Sequence, residues 1–370
     1  MKYIKQLDSI RAIAVILVII SHWLPKSNWL NQATLNTNGA FGVNVFFVLS
    51  GFLITGILLE NRREAEQLNL DKSAIIKNFF FRRALRIFPI YYLTITFLLI
   101  VHKYTGTQIR DSYLYFYTYT ANIHFYKMQE WDGMLSHLWS LSVEEQFYLI
   151  WPWLIIFIKE KYLKPLIIAF IVFGVISDFI ISDGPLDVVV TTSCFDAFGI
   201  GALLSWQLKY RPDSIKKYYS LICIGAFVSL ILLVLIFNRH NVYVPYRVLC
   251  SGITVWIISY ILVNNNKQNF VNYILSNKTL INLGKISYGL YLYHLIIIVF
   301  SWTVLGILEK RGFLHLPENY KFSIMLWSNA ALLILISWFS WIYIEKPFLN
   351  LKNHFILDRT DTKSYAISNK

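Results

Sequence analysis

Long, nearly uninterrupted apolar runs dominate the pattern of hydrophobic and polar positions along this chain. Runs of about 17–25 apolar residues can cross a bilayer as helices, and the sequence contains ten candidate segments of this kind. We therefore predict an all-α integral membrane protein with about ten transmembrane helices. The segments cover residues 9–24, 39–59, 86–102, 143–158, 164–181, 194–208, 219–237, 246–263, 287–307 and 322–344.

Composition and charge agree with this class. Hydrophobic residues make up 56% of the 370 positions and charged residues 15%, against roughly 25% charged residues in soluble domains. With the N-terminus inside, 24 of the 34 Lys and Arg residues fall in inside segments and 9 in outside ones. This bias predicts cytoplasmic N- and C-termini. It also explains the net charge of +13 as attraction to an anionic inner leaflet, so we expect the lipid bilayer, and no nucleic acid, as a partner.

The domain organisation is predicted to be simple. We expect one membrane domain over residues 1–350 and a short cytoplasmic tail over residues 351–370, in a multi-pass protein of the cytoplasmic (inner) membrane. Cys194, Cys223 and Cys250 lie in or at the edge of predicted spans without metal-ligand spacing. We interpret them as packing residues and expect no metal.

The first apolar run carries two ionisable groups, Arg11 and His22. Eleven helical residues separate them by roughly 16 Å along the axis, and eleven steps of about 100° leave both on nearly the same face. Ionisable groups inside membrane helices are functional sites by default, although a snorkelling arginine and a structurally paired histidine are alternatives. The run thus offers a cation near one membrane surface and an imidazole beyond the midplane.

Arg83 and Arg86 form a second basic site at the inner end of the third span. They are three residues apart, so they share a helix face, and Pro89 is expected in the first turn of that span. Two guanidinium groups on one face can bind phosphate groups as a fork. Ordinary positive-inside anchoring is the alternative.

Acidic residues begin the fourth span on the predicted outer side, where His22 also lies. Glu144 or Glu145 could orient the imidazole, as an orienting group does in other acyl-transfer sites, or both could complement the helix dipole. The aromatic outer region 103–142 before them either covers a site or forms a re-entrant turn. The pair Glu345 and Lys346 after the tenth span is interpreted as an interfacial stop.

Six stretches, taken together and in order, resemble the membrane-bound acyltransferase-3 family, which acylates sugars on bacterial surface polysaccharides and related acceptors. They are LDSIRAIAVILVIISH, FFVLSGFLI, the Arg83-Ala84-Leu85-Arg86 pair, LWSLSVEEQFYLIWP, FDAFGIGALLS and ISYGLYLYH. The resemblance covers essentially the whole chain. It implies that His22 is the catalytic histidine, that Arg83 and Arg86 belong to the acyl-CoA site, and that Glu144 and Glu145 form the Val-Glu-Glu-Gln motif.

Two positions depart from the family pattern. Many members have Asp where this chain has Asn44, which removes a buried carboxylate from its chemistry. Many also have Arg at the position of Cys194, two residues before Asp196, so that carboxylate is expected to lack this partner.

We therefore predict an O-acyltransferase that uses acyl-CoA, with acetyl-CoA as the expected donor, and a cell-surface polysaccharide or lipid-linked glycan as acceptor. Succinyl or longer groups remain open. The predicted catalytic residues are His22, Glu144 and Glu145; the predicted donor-site residues are Arg11, Arg83, Arg86, Tyr291 and His294; the acceptor-side candidates are Trp139, Ser142 and Asp196. Tyr291 and His294 are three residues apart and share a face of the ninth span.

Two other functions are compatible with parts of this sequence. A multi-span transporter or flippase of a glycan or acyl donor is compatible with ten spans, but the sequence shows no internal repeat or paired broken helices. A partner subunit without chemistry leaves the charged residues of the first and third spans unexplained. Cleavage of a thioester, measured as release of free CoA, would distinguish an enzyme from a transporter and from a partner subunit.

Overall fold

The computed structural model describes residues 3–33, 38–69, 71–105, 107, 109–181, 184, 186–237, 246–264 and 267–351. Across these residues all regular structure is helical. The helices are α1 (Gln6–Trp23), α2 (Trp29–Ala33), α3 (Asn38–Leu68), α4 (Lys72–Thr105), α5 (Ile109–Tyr117), α6 (Ala121–Met128), α7 (Leu138–Phe157), α8 (Glu160–Ile180), α9 (Phe195–Tyr210), α10 (Pro212–Lys217), α11 (Tyr219–Phe237), α12 (Tyr246–Asn264), α13 (Phe270–Leu275), α14 (Lys278–Lys285), α15 (Ser287–Lys310), α16 (Glu318–Ser340) and α17 (Lys346–Leu351).

Each of the ten predicted segments falls on a helix of this structure. Seven helical segments in the described residues are long and apolar enough to cross a membrane, namely α1, α3, α4, α8, α12, α15 and the α16–α17 segment. The other three predicted spans coincide with α7, α9 and α11. The all-α membrane class is confirmed, whereas the count of ten spans, the side of the termini and the domain limits stay predictions. The tail beyond residue 351 lies outside the described residues.

The starts of α7 and α4 differ from those of their predicted segments in ways that bear on the site. Helix α7 begins at Leu138, five residues before the predicted start, so its glutamates lie within the helix and not at its mouth. Helix α4 begins at Lys72, so the expectation that Pro89 opens a span is wrong: Pro89 lies in the interior of a 34-residue helix. Membrane helices tolerate such a proline because neighbouring groups can satisfy the freed carbonyl.

The core is built where α3 crosses α9 at very close range. A Cβ atom added to Gly51 would lie 2.0 Å from the Phe198 carbonyl oxygen, and one added to Gly201 would lie 2.0 Å from that of Val48. Small residues allow this approach, which is how membrane helices gain packing energy without a hydrophobic driving force.

Replacing Gly51 with valine should therefore destabilise the α3–α9 crossing. Overpacking of a tight core costs about 1–3 kcal/mol, and the nearest obstacle is backbone, which cannot rotate away. Gly225→Val is the matched control, because a Cβ added to Gly225 on α11 meets no atom within 4 Å. We expect a lower Tm and less monodisperse protein in detergent for Gly51→Val only; equal Tm values would contradict the crossing.

The described part of the aromatic region 103–142 packs against α4, and both alternatives for its role, a cover over a site and a re-entrant turn, stay predictions. It folds into the short helices α5 and α6 and a 3₁₀ turn at Gly133–Leu135. The Tyr91 hydroxyl of α4 donates to the Phe116 carbonyl at 2.9 Å, and the Tyr91 ring stacks on Tyr119 with centroids 4.3 Å apart. These contacts fix the region against α4.

Candidate active site

Helix α1 faces two cavities, one at Arg11 and one at His22. The inner cavity is lined by Arg11 and has an internal volume of about 90 Å³. The outer cavity is lined by His22 and has a volume of about 490 Å³. Both cavities are lined by Val43 and Tyr291, so they meet at these two side chains, which we call the neck.

His22 pairs with His294 across the α1–α15 interface. His22 Nδ1 lies 3.0 Å from His294 Nε2, and His294 Nδ1 lies 2.6 Å from the Tyr291 carbonyl oxygen. A carbonyl only accepts, so Nδ1 of His294 carries a proton; in the neutral ring its Nε2 then accepts from His22 Nδ1–H. This arrangement leaves Nε2 of His22 unprotonated, in a ring that is open to the outer cavity.

The position of His294 is itself fixed from two sides. The Trp23 indole donates to the His294 carbonyl at 3.0 Å, and the imidazole is fully buried against the ring of His137, with centroids 4.8 Å apart. A buried ring with a defined hydrogen-bond chain can orient His22 without a carboxylate.

His137 is a residue of the outer cavity that the sequence analysis did not single out. It is 2% exposed, and its Nε2 donates to the Leu292 carbonyl at 3.0 Å. The Met134 carbonyl lies beside the ring, but no hydrogen bond reaches Nδ1. The only sequence signal was a histidine directly before the fourth span, which does not reveal its neighbours.

The inner cavity collects the predicted donor-site arginines. Arg11, Arg83 and Arg86 all line it. Arg11 bonds to Asp8 at 2.9 Å, and the Arg83 guanidinium lies over the Tyr148 ring at 4.5 Å from its centroid. Three guanidinium groups around one small cavity attract an anion.

Glu144 and Glu145 lie in this inner cavity and not beside His22. Glu144 accepts hydrogen bonds from the hydroxyls of Ser50 and Tyr148. The hydrogen-bond partners of His22 are His294 and the Val18 carbonyl of its own helix, so the expected contact between a glutamate and the imidazole is absent among the described residues. The early start of α7 is the physical reason, because it carries the glutamates inward along the helix.

The three acceptor-side candidates, Trp139, Ser142 and Asp196, lie in different surroundings in the structure. Trp139 lines the outer cavity. Ser142 is fully buried, and its hydroxyl donates to the Leu138 carbonyl of its own helix at 3.2 Å. Asp196 is 1% exposed and accepts from the Ala197 amide at 2.7 Å. Of the three, only Trp139 lines a cavity described here.

Arg247 on α12 provides a cation beside Asp196. It interacts electrostatically with that carboxylate and lies 3.8 Å from Asp178. Asp196 does lack the arginine that many family members have two residues earlier, because position 194 is cysteine, but a distant helix supplies a guanidinium beside it. Asn44 bonds to the same helix, donating to the Arg247 carbonyl at 3.3 Å.

Glu345 is not an exposed interfacial stop. It is 2% exposed, on a π-turn at Trp341–Glu345, and its Oε1 has no hydrogen-bond partner. Its electrostatic partner is Arg86. Single π-turns inside helices often mark functional sites, and here the turn directs a buried carboxylate toward an arginine of the inner cavity.

No group of three or more His, Cys, Asp or Glu side chains that could hold a metal ion occurs among the described residues. The neighbouring histidines form hydrogen bonds through their ring nitrogens: His294 with His22 and with the Tyr291 carbonyl, and His137 with the Leu292 carbonyl. The site therefore combines the unprotonated Nε2 of His22 in the outer cavity with three arginines and two glutamates in the inner cavity.

Comparisons with known proteins point to one family. A family model described as an acyltransferase domain matches residues 4–345. The chain is 29% identical, over 96% of its length, to the "Peptidoglycan O-acetyltransferase OatA" of Listeria monocytogenes, and 31% identical, over 94% of its length, to a Staphylococcus aureus (strain COL) protein named as a "Putative O-acetyltransferase". It spans only 57% and 58% of these two relatives. No solved structure matches.

Proposed function

Because the chain belongs to the acyltransferase-3 family, we propose that it is a membrane O-acyltransferase that moves an acetyl group from cytoplasmic acetyl-CoA to a hydroxyl of a cell-surface glycan. One observation carries the proposal: a single helix presents Arg11 to an inner cavity and His22 to an outer cavity, and the two cavities meet at the neck. The names of the Listeria and Staphylococcus relatives support acetyl as the acyl group and a cell-wall glycan as the acceptor.

The donor enters from the arginine side. Arg83 and Arg86 bind phosphate oxygens of CoA, and guanidinium groups suit this role because they form charge-assisted, bidentate hydrogen bonds. The inner cavity lies between the arginines and the neck, so we place the slender thioester arm of the donor in it and the bulkier nucleotide outside it. The nucleotide therefore stays at the cytoplasmic rim while the thioester passes between Val43 and Tyr291.

The reaction itself takes place at His22. Its Nε2 accepts the proton of an acceptor hydroxyl while that oxygen attacks the thioester carbon; the C–S bond then breaks and the new ester is released. The thiolate of CoA takes the proton back from the imidazolium, so free CoA and the O-acetyl glycan are the products. His294 holds the ring in the required tautomer, the role of the orienting group in other acyl-transfer sites.

The test is turnover in proteoliposomes. Purified protein that receives radiolabelled acetyl-CoA and a glycan acceptor should release free CoA and label the glycan in equal amounts. Movement of label across the bilayer without release of CoA would instead identify a transporter.

Arg83→Ala should raise the KM for acetyl-CoA about 10- to 100-fold, because a charge-assisted hydrogen bond contributes about 1.5–3 kcal/mol. The kcat at saturating donor should change little, since Arg83 lies away from the reacting atoms. Arg82→Ala is the matched control: Arg82 is adjacent and exposed and does not line the inner cavity. An unchanged KM for Arg83→Ala would show that this arginine does not bind the donor and only anchors the helix at the membrane surface.

A further inference from the structure

The outer cavity continues on the α12 side of His22. A second cavity of about 320 Å³, here called the α12 cavity, shares four lining residues with it, Trp139 among them. Asp178, Asp187 and Arg247 add charge to this cavity. Trp139 stands at the junction between the two spaces.

The outer cavity also adjoins a space lined by residues of α5 and α6. A third cavity of about 440 Å³, here called the α5–α6 cavity, shares Trp131 and Gly133 with it. Its wall carries the side chains of Asp111, His124, Glu130 and Asp132. The indole of Trp131 is 48% exposed at this second junction.

We propose that the α12, outer and α5–α6 cavities form one acceptor trough that binds a linear stretch of several neutral sugar units, with the unit to be acetylated at its centre beside His22. This inference rests on the proposed function and names its acceptor class: an internal unit of an uncharged glycan chain, and neither a single sugar nor a polyanion.

Size and aromatic spacing support a chain of several units. Each cavity falls in or near the range of about 300–1,000 Å³ that small-molecule sites occupy, so the three together exceed what one sugar needs. Indole rings present a broad apolar face with one polar N–H, which suits the C–H face of a pyranose. One tryptophan is shared at each of the two junctions, Trp139 between the outer and α12 cavities and Trp131 between the outer and α5–α6 cavities.

His137 forms part of the wall of the outer cavity. Its Nε2 donates to the Leu292 carbonyl at 3.0 Å, and the side chain is 2% exposed. These contacts hold the ring in place beside the space that the sugar unit to be acetylated would occupy.

Charge selects against polyanions. Among the described residues that line the α12 and α5–α6 cavities, five are carboxylates and one is an arginine, and that arginine lies 3.8 Å from Asp178. Carboxylates accept hydrogen bonds from sugar hydroxyls but repel uronic acids and phosphates. A neutral glycan is therefore the matching ligand.

The experiment measures acetyl transfer to chito-oligosaccharides of one to five units in proteoliposomes, beside matched oligogalacturonates. We expect kcat/KM to rise at least about tenfold from one unit to three, to stay low for the anionic series, and to place the labelled acetyl on internal units in mass spectra. Equal transfer to the single sugar, or label only at chain ends, would overturn the trough even though acetyl-CoA is consumed. Absence of CoA release with every acceptor would instead overturn the proposed function.

A variant separates the trough from the reaction centre. Trp131→Ala should lower kcat/KM for the three-unit acceptor about tenfold more than for the single sugar. Trp327→Ala is the matched control, because Trp327 is 73% exposed and lines none of the three cavities. Equal losses on long and short acceptors would show that Trp131 has only a structural role.

Discussion

Replacing His22 with alanine should lower acetyl transfer by about 10²- to 10⁴-fold, the range that general base catalysis contributes. The imidazole opens into the outer cavity, and its partner His294 leaves Nε2 free to accept a proton. The measurement is release of free CoA from labelled acetyl-CoA in the presence of a glycan acceptor.

Ser21→Ala is the control for this variant. Ser21 lies in the same outer cavity, and its hydroxyl donates to the Val18 carbonyl at 2.8 Å, so it is engaged with its own helix. Adjacent helical positions also point about 100° apart. Ser21→Ala should keep its activity and both variants should keep the Tm of the parent. A His22→Ala protein with parental activity would remove the histidine from the mechanism.

Replacing His294 with leucine should lower kcat about 100-fold without raising the KM for acetyl-CoA. Leucine cannot accept a proton from His22 Nδ1, which lies 3.0 Å from His294 Nε2, so the imidazole keeps only the Val18 carbonyl as a partner and is less well oriented. His294→Gln should recover part of the activity, because a side-chain amide oxygen can accept the same proton.

The pattern of these effects distinguishes positioning from simple loss of packing. Tyr293→Phe is a suitable control on the same helix, because the Tyr293 hydroxyl bonds to Ser340 at 3.2 Å and not to the histidines. If His294→Leu raises the KM for acetyl-CoA and leaves kcat unchanged, His294 contacts the donor, as the sequence predicts, and does not orient His22. Equal activity of the leucine and glutamine variants would exclude orientation through a hydrogen bond.

The helices were predictable because their signal is local. An apolar run of sufficient length forms a helix in a bilayer wherever its partners lie, and each predicted segment does coincide with a helix. The shared face of Arg11 and His22 was equally predictable from helical arithmetic alone. The structure accordingly presents both residues to connected cavities.

The contacts within the site were not predictable, because they join residues that are far apart in the sequence. His22 and His294 are separated by 272 positions, and Arg247 reaches Asp196 from another helix. Glu144 was expected near His22 because a composition-based boundary placed the start of α7 at residue 143, whereas the helix begins at Leu138. An error of five residues moves a side chain by about 7.5 Å along a helix, which exceeds the reach of a hydrogen bond.

The neck, formed by Val43 and Tyr291, also bears on how well the membrane holds back ions. A route that lets a thioester reach the outer face could also short-circuit the proton gradient if it stayed water-filled. Here the Tyr291 hydroxyl donates to the His137 carbonyl at 3.1 Å and lies 2.5 Å from Ser140 Oγ, opposite the buried side chain of Val43. If the thioester takes the proposed route through the neck, this contact has to close again after each turnover for the membrane to keep its voltage.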